Sequence, residues 1–151
     1  MDNDKIFVQA DEQHELGNFD VAFELFLKAA EQGDSSSMSR LACMYADGEG
    51  VPRDFEKSIE WDKKAIEAGN TSSILNLAIT YRILGDIVSS KYWFEKALDE
   101  GDAEAALQLA KLYMISDKEK ENVKHYLSVA INHESICEES RKEANELLAN
   151  L

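Results

Sequence analysis

The 151-residue sequence contains little proline, cysteine or glycine, with one, two and seven residues of each. Cys43 and Cys137 lie far apart in apolar helical contexts, which argues against a disulfide scaffold and predicts two reduced, buried thiols. No apolar run approaches the roughly 18 residues that a membrane-spanning helix needs. The first 16 residues are acidic and amphipathic, without the basic start and apolar block of a signal peptide. We therefore expect a cytoplasmic protein with no membrane partner.

Basic residues are also scarce, because 16 Lys+Arg stand against 30 Asp+Glu and give a formal net charge of −14. The imbalance is strong at the start, where residues 1–34 hold nine acids and two lysines. A charge of this sign repels nucleic acid phosphates, so we expect no nucleic acid partner. It favours encounter with a basic protein.

Sequence signals for catalysis or cofactor binding are missing. The three histidines, His14, His125 and His133, have no carboxylate or cysteine at metal-ligand spacing, and we assign them structural roles. No phosphate-binding loop, nucleophile elbow or dinucleotide fingerprint is present. We therefore predict no catalytic residues, no metal site, no cofactor and no enzymatic activity.

Residues 73–101 instead form two amphipathic helical patterns separated by a Gly85-Asp86 turn. One such hairpin cannot bury its own apolar face, and copies of it recur along the chain. An alanine on the first helix repeats at spacings of 32, 36 and 32 residues. These alanines are Ala10, Ala42, Ala78 and Ala110. A fixed period of this kind predicts stacked helical hairpins.

The stretch from Tyr45 to Gly69, YADGEGVPRDFEKSIEWDKKAIEAG, resembles the SEL-like repeat, a relative of the tetratricopeptide repeat with a longer turn. The residues that carry the resemblance are Gly48, Gly50, Val51, Asp54, Lys57, Trp61, Lys64, Ala65 and Gly69. The resemblance implies an all-α solenoid of four antiparallel helix-turn-helix repeats in a single domain spanning 1–151. The expected repeats cover about 4–34, 35–70, 71–102 and 103–133, and a capping helix covers about 135–149.

In such repeats the first helices line an inner surface, and we predict the residues that reach it. Positions just after the repeated alanine are Asp11, Cys43, Ile79 and Lys111, with Ser39, Leu75 and Leu107 four residues earlier. Arg40, Asn76, Arg82 and Gln108 are expected on the same surface, and Glu12 and Glu15 add acids at its beginning. Relatives that clamp chaperone tails carry Lys, Arg and Asn here, so we predict no such clamp.

The function predicted from these features is a non-catalytic protein-interaction module. One alternative is an immunity-type inhibitor that masks a basic toxin or enzyme, which the negative charge favours. A contrasting alternative is a regulator or assembly chaperone whose groove takes an extended apolar peptide. Self-association and the oligomeric state stay open.

Overall fold

The computed structural model describes residues 2–116 and 120–151, and over those residues the chain forms nine α-helices and no strand. The helices are α1 (Asn3–Glu15), α2 (Phe19–Glu31), α3 (Ser35–Asp47), α4 (Phe55–Glu67), α5 (Ser72–Ile83), α6 (Ile87–Asp99), α7 (Ala103–Ser116), α8 (Lys120–Asn132) and α9 (Glu138–Ala149). The predicted class, an all-α solenoid of four helical hairpins and a capping helix, is confirmed. Residues 117–119, in the predicted turn of the fourth repeat, lie outside the described residues.

The helices group into two compact units, residues 1–80 and 81–151, and the division falls inside α5. In unit 1, α1 packs on α2, α2 on α3, and α3 on α4. In unit 2, α6 packs on α7, α7 on α8, and α9 covers α8 and α7. The expectation of one domain over 1–151, with its repeat limits, stays a prediction.

Helix boundaries follow from glycine and Asx pairs. Gly33 has a φ of 91°, a left-handed conformation that ends α2 at little steric cost. The adjacent Asp34 then accepts a hydrogen bond from the Ser37 backbone N–H at 2.7 Å and begins α3. The predicted Gly85-Asp86 turn works in the same way, with Asp86 capping α6 through the Ser89 N–H. Each turn is therefore specified locally.

Each unit has a core of alanine and a few large residues. In unit 1 the buried set is Ala10, Ala22, Phe26, Ala30, Leu41 and Met44. In unit 2 it is Ala103, Ala106, Leu107, Ala110, Val123, Leu127, Ala130, Ile136 and Ala144. Of the four repeated alanines, Ala10 belongs to the first set and Ala110 to the second. Ala42 and Ala78 are equally buried. Small side chains there let the backbones approach closely.

The long turn between α3 and α4 is held against the start of α2. Gly50 has a φ of 69°, and a Cβ at this position would lie 2.6 Å from the Phe19 carbonyl oxygen. His14 Nε2 and Glu49 Oε2 lie 2.7 Å apart and fasten the same turn to α1. His14 is therefore half-buried and partnered by an acid that sequence spacing did not reveal.

The prediction of two buried thiols is wrong for Cys137. This residue is exposed and precedes α9 as its N-cap, with its sulfur 3.4 Å from the Ser140 N–H. The apolar pattern of α9 begins after it, at Ala144, so the residue caps the helix instead of packing beneath it. Cys43 is half-buried, and both cysteines are free.

Candidate protein-interaction surface

Asp11 and Arg40, both predicted for the inner surface, form an ion pair that joins α1 to α3. Arg40 Nη2 donates to Asp11 Oδ1 at 2.6 Å, and the two side chains are 44% and 32% exposed. A pair this accessible to water contributes at most about 1 kcal/mol. A charged group from another molecule can replace either member at little cost.

Asn76 joins α5 to α3 in a looser way. Its Nδ2 donates to Ser39 Oγ at 3.4 Å, which is long for a hydrogen bond, and to Cys43 Sγ at 3.6 Å, where the acceptor is a weak one. Ile79 lies one turn further along α5 and is half-buried, as is Asn76. We call the surface formed by five of these residues the first-helix face of unit 1. It consists of Asp11, Ser39, Arg40, Cys43 and Asn76.

In unit 2 the predicted residues are also tied to neighbouring helices. Arg82 Nη1 donates to Gln108 Oε1 at 2.5 Å, and its guanidinium lies 5.9 Å from the centre of the Phe94 ring. Lys111 Nζ lies 2.7 Å from Glu143 Oε1 and links α7 to α9. Both cations therefore make contacts within unit 2.

Leu107, expected on the inner surface, is instead 1% exposed and belongs to the unit 2 core. It precedes Lys111 by four residues, and four residues of an α-helix turn through about 40° more than a full circle. Leu107 is therefore rotated by about 40° from Lys111 toward the side of the helix that carries Ala103 and Ala110, which are also buried. The periodic assignment fails at this position because the alanine stripe of α7 is wide.

Glu12 and Glu15 are exposed on α1, and neither forms an ion pair within residues 2–116 and 120–151. Glu12 borders an open depression of about 410 Å³. Its lining is Asp2, Asp4, Lys5, Val8, Gln9 and Glu12. Val8 is 55% exposed there, so this part of α1 presents both carboxylates and apolar surface.

Asp62 is a buried acid on α4 that is not among the residues predicted from the sequence. The eighth residue of each second helix is no more than 1% exposed, and in the other three helices it is Phe26, Phe94 or Leu127. Asp62 therefore occupies a position that elsewhere holds a large apolar side chain. Aligning the helices on the alanine three residues later, such as Ala65, would have revealed the exception.

Neither oxygen of the Asp62 carboxyl has a hydrogen-bond partner among the described residues, and the nearby Ser73 hydroxyl also lacks one. Burial raises the pKa of Asp62 to about 7, although the Ser73 and Asn76 side chains act in the opposite direction. The lowering of the pKa by these two side chains is smaller than the rise caused by the loss of water around the carboxylate. Near neutral pH the group exchanges between its acid and ionised forms.

Cys43 carries a partly buried thiol whose pKa is raised. Burial raises the pKa of its thiol to about 11, with a further contribution from the negative charge of Asp62. The thiolate is the reactive form of cysteine, and a thiol with this pKa forms little of it at neutral pH. Cys43 therefore contributes a small, half-buried side chain to α3 and accepts a weak hydrogen bond from Asn76.

Metal binding and membrane insertion find no support in the part of the chain that the structure describes. Within residues 2–116 and 120–151, no three His, Cys, Asp or Glu side chains group closely enough to hold a metal ion. No helix in those ranges is both long enough and apolar enough to cross a bilayer.

Stacked helical hairpins whose first helices carry paired polar side chains define a helical-repeat scaffold. The Sel1 repeat model matches residues 15–34, 35–70 and 75–102, more than half of the chain. The chain belongs to the Sel1 repeat family, as the SEL-like resemblance of 45–69 predicted. Sel1 repeats generally form non-catalytic scaffolds for protein-protein interaction.

Solved structures agree on the fold. The chain is similar over 99% of its length, with a TM-score of 0.78 and 18% identity, to c5321, a protective antigen present in uropathogenic Escherichia coli strains. It is similar over 93% of its length, with a TM-score of 0.68 and 20% identity, to a Sel1 repeat protein from Oxalobacter formigenes. The chain spans 34% and 63% of those two structures. At these identities the likeness shows the fold alone.

An immunity protein from Pseudomonas aeruginosa matches 94% of this chain and 81% of its own, at 16% identity. Its TM-score is 0.43, which is too low to carry an argument about function. A search of curated proteins finds no match to the sequence.

Proposed function

We propose that this chain is a non-catalytic interaction module that binds a basic protein through the first-helix face of unit 1 and the exposed acids of α1. The observation that carries the proposal is the contrast along α1. Asp11 is neutralised by Arg40, whereas Glu12 and Glu15 are exposed without an ion pair among the described residues. Unpaired carboxylates attract a cationic partner, and the weak Asp11–Arg40 pair can be exchanged once the partner arrives.

Charge reversal tests this proposal. The double variant Glu12→Lys and Glu15→Lys changes the net charge by four, and a matched control places the same change at Glu138 and Glu139, which are exposed in the first turn of α9. Tagged wild type and both variants are used to capture partners from host cells at low and high salt, followed by mass spectrometry. We expect one stoichiometric basic protein that the α1 variant loses, the α9 variant retains and high salt releases. Equal capture by both variants contradicts binding through α1.

An immunity-type inhibitor is the more specific alternative, and the charge of −14 is the feature that favours it. In that case the captured basic protein is an enzyme or toxin, and the purified chain inhibits its activity at a one-to-one ratio. The α1 variant then raises the inhibition constant, while the α9 variant does not. A captured protein whose activity is unchanged by the chain contradicts the inhibitor and leaves a scaffold.

A groove that takes an apolar peptide predicts a different sensitivity. Ile79 is half-buried on α5, so Ile79→Asp places a charge among the side chains that such a peptide contacts. Val88→Asp is the control, because Val88 is 82% exposed on α6. A salt-resistant partner that is lost only with Ile79→Asp supports a peptide groove. Lys111 and Arg82 are the residues of unit 2 that were predicted to reach the inner surface, and the variants Lys111→Ala and Arg82→Ala test them in the same assay.

A further inference from the structure

Unit 1 holds an unpaired carboxyl group beneath its first-helix face. Asp62 is 1% exposed, and the side chains that act on its carboxyl group are Ser73 and Asn76. Asn76 in turn contacts Ser39 and Cys43 on α3, and these three residues are half-buried. Polar groups therefore lead from the buried carboxyl to the surface.

This arrangement lacks a donor of hydrogen bonds and positive charge. Both oxygens of Asp62 and the Ser73 hydroxyl have no partner among the described residues, and no lysine or arginine there pairs with Asp62. A buried carboxylate is costly unless a cation or several N–H groups satisfy it. A primary ammonium supplies both a charge and three N–H donors.

The Asn76 side chain, which acts on this carboxyl, is held by weak contacts. The Asn76 amide lies 3.4 Å from Ser39 Oγ, a long hydrogen bond, and 3.6 Å from Cys43 Sγ, a weak acceptor. Contacts of this kind contribute little, so rotation of the Asn76 side chain costs little.

We propose that the first-helix face of unit 1 is a binding site for a primary ammonium group, which displaces the Asn76 amide and pairs with the Asp62 carboxylate. Its source is a lysine side chain of the protein partner, and in that respect the inference rests on the proposed function. Lysine fits better than arginine, because its four-carbon stem and compact head need less width than a planar guanidinium fork. This role accounts for an aspartate, Asp62, at the helix position where Phe26 and Phe94 pack in the core.

The first test uses n-butylammonium, which has the stem and head of a lysine side chain. The pKa of Asp62 is measured by carbon-13 NMR of its carboxyl group in n-butylammonium chloride and, at equal ionic strength, in tetramethylammonium chloride, which has no N–H donor. The resonance is assigned by its loss in Asp62→Asn. We expect n-butylammonium to lower the pKa by at least about half a unit, since a paired cation favours the ionised form. Equal pKa values in the two salts overturn the proposal and leave the α1 charge-reversal result unaffected.

The second test identifies the source of the ammonium. Binding of an alternating alanine-lysine decapeptide is measured for wild type, Asp62→Asn and Glu60→Gln, where Glu60 is an exposed acid on the same helix. We expect Asp62→Asn to weaken binding at least about tenfold and Glu60→Gln less than about twofold, because only the first removes a buried pair. Equal losses in the two variants, with n-butylammonium still active, overturn the lysine assignment in favour of a free amine. Tighter binding of the arginine counterpart overturns the preference for lysine.

Discussion

Replacing Asp62 by asparagine changes the pH dependence of folding in a direction that the structure fixes. The side chain keeps its size but can no longer ionise. Ionised Asp62 is unfavourable in the folded state, because the group is 1% exposed and no described residue donates a hydrogen bond to it. The variant therefore removes a pH-dependent cost and adds only a constant one, that of burying an amide.

The magnitude follows from the two pKa values of Asp62, about 7 when folded and 3.8 as its ordinary value. A folded pKa above the unfolded one means that the folded state binds the proton more tightly. Stability from this group is full below about pH 4, declines as pH rises, and is lost above about pH 7. The difference of about three pKa units corresponds to roughly 4 kcal/mol in total. Between pH 5 and pH 8 the wild type should lose roughly 2–3 kcal/mol that Asp62→Asn retains.

Urea denaturation at half-unit pH intervals measures this difference, since the two proteins differ in this side chain alone. The free energy of unfolding of Asp62→Asn minus that of wild type should rise with pH and level off near pH 7.5. Glu60→Gln removes an exposed carboxyl from the same helix and should give a flat difference. A flat difference for Asp62→Asn as well would refute the assignment of Asp62 as a buried, unsatisfied acid.

Two further predictions concern the long turn and the thiols. Gly50→Ala should destabilise the fold by roughly 2 kcal/mol more than Gly33→Ala in urea denaturation. Both glycines have positive φ, but only a Cβ on Gly50 meets a backbone atom, the Phe19 carbonyl oxygen at 2.6 Å. Similar losses in the two variants would contradict the close approach. Iodoacetamide at pH 8 should modify Cys137 at least about a hundredfold faster than Cys43 by mass spectrometry, since thiolate is about one part in a thousand at Cys43. Comparable rates would contradict a buried Cys43.

The polar pairs formed by residues of the first helices are the contacts that a partner must compete with. Asp11–Arg40 and Lys111–Glu143 are both partly exposed, so each contributes little to stability. Such pairs hold side chains in place before binding and can be exchanged for pairs with a partner. A basic partner gains from Glu12 and Glu15 without breaking any pair that the structure describes.

The class of fold and its repeats were readable from the sequence because helix signals are local. The glycine that ends a helix and the Asx residue that begins the next act within a few residues, as at Gly33-Asp34 and Gly85-Asp86. The alanines repeat that local pattern at spacings of 32, 36 and 32 residues. The caps at Asp34 and Asp86 confirm this. Local rules were less reliable where a residue lies near a helix end or at the edge of an apolar stripe, as Cys137 and Leu107 show.

The sequence by itself determined an all-α repeat protein with a strong negative charge, since spacing and composition need no knowledge of contacts. Tertiary structure decided which of those charges are free. Asp11 and Lys111 acquired partners 29 and 32 residues away, whereas Glu12 did not. It also decided the state of Asp62, whose pKa depends on its burial and on Ser73 and Asn76 of α5. Aligning the second helices marks position 62 as one that holds an apolar side chain in the other repeats, but solvent exclusion itself follows from the packing of the helices.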